Sequence, residues 1–201
     1  MNWRIITPIP SEDELIRQEY GFTAPQNYNF PLRSLSKREL LSWLKSGKRK
    51  RFFNHATSQY IRENIGEEIW NSYYKFTFER NPYDKAISRY YWSTREPRPP
   101  IDEYLETAPI ELLSNWNIYT INDQIAVDFI GQYQNLTNDL AMIAEKLSLP
   151  GSLSLPRAKG GYRKNKAHYS ALLNEKSRKR IEIVCAKEIQ TFGYTWQNAP
   201  E

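Results

Sequence analysis

The 201-residue chain is 40% hydrophobic and 14% aromatic and carries 28 Lys and Arg against 23 Asp and Glu, a formal net charge of +5. That length suits one medium domain with a real core, and the basic balance favours anionic ligands such as nucleotides, acidic glycans or nucleic acid. No apolar run is long enough to span a bilayer and no signal-peptide pattern opens at Met1, so a cytoplasmic protein is expected; a single cysteine, Cys185, excludes an internal disulfide, and with only His55 and His168 beside it a structural zinc site is not expected.

Residues 1–34 read as an irregular approach broken by Pro8, Pro10, Pro25 and Pro31, with a short capped helix opening at Ser11–Glu14 and taking in Leu15 and Ile16. Ser36 and Glu39 form a capping box for a helix to about Lys45, with Leu40, Leu41 and Leu44 on one face. The basic run Lys48–Arg51 follows, either a solvated loop or a contact for an acidic polymer. A second helix is expected from about Thr57 to Asn64, stopped near Gly66, with His55 just before it, and a third short helix over Glu67–Ser72.

Residues 75–92 carry the strongest local signal. Phe76 and Phe78 alternate with Lys75 and Thr77, the period of a strand. Pro82 then opens a helix, with Asn81 as its cap, Asp84 in its first turn, and Tyr83, Ile87, Tyr90 and Tyr91 as its apolar stripe. Arg80 stands at the strand's carboxyl end beside the helix N-terminus, and Ser88 lies beside the stripe. A guanidinium so placed suits an anion. An Arg at such a corner also commonly caps a carbonyl or pairs with a neighbouring acid, and spacing alone leaves both readings open.

Pro97, Pro99 and Pro100 end that helix, and Ile101–Thr107 forms a short amphipathic one. A hairpin is expected around Asn122-Asp123, then an apolar strand over 127–133 and a helix over 136–147 that buries Leu140, Ile143, Ala144 and Leu147. Residues 155–169 form a basic loop containing Lys159, Gly160, Gly161 and Arg163; the glycines permit close backbone approach. His168 reads as a cap or a stacking group. One helix is expected from about Asn174 to Thr191, with Ile181, Val184, Cys185, Ile189 and Phe192 inward and Gly193 as its stop.

The run Phe-Glu-Arg-Asn-Pro-Tyr-Asp-Lys-Ala-Ile-Ser-Arg-Tyr-Tyr, residues 78–91, resembles the 3′-phosphate-binding motif of the carbohydrate-type (family 2) sulfotransferases. These enzymes use 3′-phosphoadenosine 5′-phosphosulfate as donor. Further likeness runs through 127–140 and the closing Glu-x-x-x-Phe-Gly-Tyr at 188–194, so that it covers most of residues 50–196 within a single 1–201 domain. The resemblance implies that Arg80 and Ser88 hold the nucleotide 3′-phosphate. It implies that His55 is the general base, and that Lys159, Gly160 and Arg163 belong to a loop that folds over the nucleotide. The implied fold is α/β: a P-loop-NTPase-like parallel sheet flanked by helices. The implied reaction moves a sulfuryl group to an acceptor hydroxyl, with a glycan as the expected acceptor, no metal and no nucleic acid.

The family's Pro-Lys-Thr-Gly-Gly-Thr-like loop, which holds the 5′-phosphosulfate, has no counterpart here, so the first strand-loop-helix unit is expected to be missing. A truncated reading of a longer gene, a half supplied by another chain (a homo-oligomer included), and a degenerate relative that binds nucleotide or acidic glycan without catalysis all fit that departure. A basic binding module without nucleotide chemistry is the competing class. It would depend on Lys48–Arg51 and residues 157–166, with an affinity that falls steeply with salt.

Overall fold

In a computed structural model, residues 14, 15, 18, 19, 21, 28–32, 35–149 and 163–198 are described. Helices predominate and the strands are few, a mixed α/β chain whose parallel sheet has two strands among the described residues. The chain resolves into two compact units, residues 1–74 with 118–126, and residues 75–117 with 127–201.

In the first unit, α1 (Lys37–Ser46) begins with the expected capping box: the Ser36 hydroxyl accepts from the Glu39 N–H, and the Glu39 carboxylate accepts from the Ser36 N–H at 2.9 Å. Helix α2 (Ser58–Ile65) is capped by Thr57, and α3 (Glu67–Ser72) follows directly after Gly66, whose φ of +86° favours a residue without Cβ. Phe30, Phe52, Ile65 and Trp70 form the core, with Phe30 and Phe52 at a 4.5 Å centroid separation. On α1, Leu40, Leu41 and Leu44 are all exposed, and the helix buries no residue. Strands β2 (Thr120–Ile121) and β3 (Gln124–Ile125) make the expected hairpin, and Asn122 and Asp123 both take positive φ, as a tight two-residue turn requires.

In the second unit, β1 (Phe76–Glu79) leads through Arg80 and Asn81 into α4 (Pro82–Ser93), as the sequence indicates. The Asn81 side chain accepts from the N–H groups of Tyr83 and Asp84, a cap that contributes on the order of 1 kcal/mol. Helices α5 (Ile101–Thr107) and α6 (Ile110–Leu113) follow, and α7 (Trp116–Tyr119) carries the chain toward the hairpin of the first unit. Tyr83, Ala86 and Ile87 of α4 pack with Leu105, Ala108, Leu113, Tyr169, Leu173, Ile181 and Cys185 to make the core. Each fully buried aliphatic side chain there contributes roughly 1.5–3 kcal/mol.

Strand β4 (Phe129–Gln132) lies parallel to β1 with Glu79 opposite Gln132, and α8 (Leu136–Lys146) follows it. A Cβ at Gly131 would stand 2.5 Å from the Phe78 ring and 2.9 Å from Asp139 Oδ2, so this close approach demands glycine. The C-terminal helix is two pieces, α9 (Glu175–Val184) and α10 (Ala186–Phe192), because Cys185 leaves helical geometry at φ −104° and ψ 23°. Gly193 ends α10 in the left-handed region. Beyond it, Trp196 returns edge-on against Tyr83 with a 4.9 Å centroid separation.

Candidate functional site: an arginine pair at the strand ends

The register of the β1–β4 pair decides what meets at its carboxyl end. Glu79 is opposite Gln132, so the next residues, Arg80 and Tyr133, emerge side by side, at the end of a parallel pair where α/β proteins bind ligands. The Arg80 guanidinium stacks 4.6 Å from the centre of the Tyr133 ring. The ring itself is half exposed. Tyr133 carries no motif of its own, and a parallel pairing of the two strand-then-helix segments is the signal that would have found it.

Arg80 also reaches one turn into α4. Its Nε donates to Asp84 Oδ2 at 2.7 Å and its Nη2 pairs with the same oxygen, while Nη1 has no hydrogen-bond partner among the described residues. Arg163 arrives from far along the chain and pairs through Nη1 with Asp84 Oδ1. Its Nε donates to the Asn165 carbonyl at 2.9 Å and its Nη2 to the Ala167 carbonyl at 2.5 Å, so residues 163–167 wrap their own guanidinium. One carboxylate thus holds two guanidiniums, all three side chains only about a quarter exposed, and the cluster keeps a net positive charge.

Ser88 sits four residues beyond Asp84, on the same face of α4. It is half-buried, and its hydroxyl has no hydrogen-bond partner among the described residues. Because Asn81 already satisfies the leading N–H groups of α4, the donors available to an anion are those of Arg80 and Ser88, and the helix end itself is closed. Arg80 and Ser88 are the two side chains that the sequence likeness names for an anion.

Beneath the arginine pair, Glu79 is fully buried and accepts the Arg80 N–H at 2.8 Å and the Lys85 ammonium at 2.9 Å. Nearby Cys185 is inert, because burial pushes its thiol up to about 12, although Lys85 acts in the opposite direction. Burial, then its hydrogen bond to Glu182, also pushes the Tyr83 hydroxyl upward. His168 caps a single 3-10 turn, with Nδ1 2.9 Å from Ser170 Oγ and its ring against Tyr169, a capping and stacking role as its sequence context suggests.

His55 belongs to the first unit. It is exposed and holds φ at +62°, an unfavourable region for a residue with a Cβ, at a cost on the order of 1 kcal/mol. Lys159 and Gly160 lie outside the described residues. The basic run of the first unit is largely spent internally. Arg49 bonds the Phe30 carbonyl and stacks near Trp43, Lys50 pairs with Glu39 and covers Phe30, and Arg51 lies over Tyr28. Among the described residues no group of three His, Cys, Asp or Glu is arranged to hold a metal, and no helix is long and apolar enough to cross a membrane.

No protein-family model and no solved structure matches the chain. An uncharacterized protein of Archaeoglobus fulgidus is 35% identical over 101 residues, a match that covers 47% of this chain and 84% of the archaeal protein. The chain belongs to the same family as this uncharacterized archaeal protein.

Proposed function

We propose that the chain is a sulfotransferase-type protein that holds the 3′-phosphate of 3′-phosphoadenosine 5′-phosphosulfate at Arg80, Arg163 and Ser88. The parallel β1–β4 pair would then be part of a P-loop-like sheet. The observation that carries this reading is the convergence of Arg80 and Arg163 on Asp84, with unpaired donors on Arg80 and Ser88 beside it. A net-positive cluster built of planar guanidiniums suits phosphate oxygens, and the half-exposed Tyr133 ring offers a stacking surface beside it.

The chemistry proposed is an in-line displacement at sulfur. The acceptor hydroxyl oxygen bonds to sulfur as the bridging bond to the 5′-phosphate breaks, and adenosine 3′,5′-bisphosphate departs with the bonding electrons. The acceptor proton passes to a base, which we assign to His55, since imidazole takes up protons near neutral pH. A glycan hydroxyl is the proposed acceptor.

Calorimetry with adenosine 3′,5′-bisphosphate tests the binding half: micromolar binding with much weaker binding of adenosine 5′-monophosphate supports it, and equal affinities overturn it. Transfer of labelled sulfuryl groups to a glycan panel tests the catalytic half. His55→Asn keeps a residue tolerant of positive φ, so it should abolish transfer and leave nucleotide affinity unchanged. Binding without any transfer by the wild type would favour the second reading, a nucleotide-binding relative that lacks catalysis.

A further inference from the structure

We infer that Lys85 is a positioning residue for the Arg80 turn, acting through a buried charge network that ties this turn to α10; the inference rests on reading the arginine pair as an anion site. The network has two carboxylates and one amine. Glu79 and Glu188 are both fully buried, and Lys85, whose side chain is 13% exposed, lies 2.9 Å from Glu79 Oε1 and 3.9 Å from Glu188 Oε1. Asn115 bridges the carboxylates, giving its N–H to Glu188 Oε1 at 3.0 Å and its side-chain amide to Glu79 Oε1 at 3.3 Å. Ser114 Oγ donates to Glu188 Oε1 at 2.6 Å. Glu188 Oε2 and the Tyr194 hydroxyl are sealed from solvent with no hydrogen-bond partner among the described residues.

Such a network is a poor source of stability. Removing two carboxylates from water costs several kcal/mol each. What the network supplies is geometry. Glu79 Oε1 accepts both the N–H of the residue that follows it and the ammonium of Lys85, a residue one turn into α4. The pair therefore staples the strand end to the helix across Arg80, Asn81 and Pro82. The peptide whose N–H is held is the one that aims the Arg80 side chain at Asp84. Lys85 itself takes no part in the arginine pair. Through Asn115 and Glu188 the same staple reaches α10, on the far side of the Cys185 break.

Lys85→Met alone leaves two buried carboxylates facing each other and is expected to fold poorly, so the test combines it with Glu188→Gln. Native-state hydrogen exchange reads the Arg80 amide, and calorimetry reads affinity for adenosine 3′,5′-bisphosphate. In the folded double variant the Arg80 amide should exchange at least tenfold faster while the amides of α4 and α9 keep their protection, and nucleotide binding should weaken at least tenfold. Glu188→Gln alone, which keeps the Lys85–Glu79 contact, should leave the Arg80 amide unchanged. An Arg80 amide that exchanges at the wild-type rate in the double variant overturns the inference. So does loss of protection spread evenly over the unit, which marks a merely structural role. If the wild type binds no nucleotide while the exchange response appears as described, the anion reading falls and the positioning role stands.

Discussion

The two basic regions look alike in sequence and differ in what the fold does with them. Lys48–Arg51 packs four cations into four consecutive positions, yet three of them lie against aromatic rings or local acceptors within the first unit. Arg80 and Arg163 are isolated from each other in the chain, yet they share one carboxylate at the end of a parallel strand pair. Linear charge density therefore says little about which cations the fold leaves available to an anion. Convergence of guanidiniums from separate elements, with donors left over, says more.

The sharpest way to break this contrast is to truncate one cation of each kind. Arg80→Ala should weaken adenosine 3′,5′-bisphosphate binding roughly 100-fold or more, the scale for deleting one partner of a desolvated charge pair, as read by calorimetry. Next in size, Gly131→Ala forces a methyl group against Phe78 and Asp139, which should cost about 1–3 kcal/mol in urea unfolding and disturb the register that brings Arg80 beside Tyr133. Arg49→Ala should cost the protein about 1 kcal/mol through its lost stacking and hydrogen bond, and leave nucleotide affinity within twofold. A large loss of affinity in Arg49→Ala with little in Arg80→Ala would reverse the comparison.

The smallest effect is a pH dependence confined to the first unit. The Ser36 backbone N–H and hydroxyl, then Lys50, hold the Glu39 carboxyl at about 2, below its ordinary 4.5. A folded value below the unfolded one stabilises above the unfolded value and is lost as protons bind. The contribution of the α1 capping box should therefore be complete above pH 4.5 and disappear as pH falls toward 2, which Glu39→Gln would flatten in an acid titration followed by circular dichroism.

Local signals carried most of the secondary structure. Asn81-Pro82 with Asp84, the Ser36–Glu39 box and Asn122-Asp123 each act within one turn of chain, and each reads directly from residue type. Long-range facts did not read so easily. The pairing of Arg163 with Asp84 depends on how distant segments pack, and no spacing encodes it. The α9–α10 break at Cys185 lies within an unbroken helical pattern. The burial of Glu188 is hidden by its charge, although it follows Ile181 and Cys185 at the seven- and three-residue intervals of their stripe. Asp139, four residues before Ile143, repeats the lesson: its carboxylate accepts the Gln132 N–H at 2.7 Å and locks the end of β4. An acidic residue in phase with an apolar stripe is itself a signal of a buried polar task.

Trp196 has a practical side. Its ring closes against Tyr83 and Tyr169, with the Arg178 guanidinium 4.8 Å from its centre, while the neighbouring Gln197 N–H donates to the Tyr169 hydroxyl at 3.0 Å. The last few described residues are therefore a clasp over the first turn of α4, two residues from the Asn81 cap. Trimming the chain after Gly193 to aid crystallisation would strip that clasp from Tyr83, and in a variant whose other five tryptophans are replaced the Trp196 emission would report whether the clasp is closed.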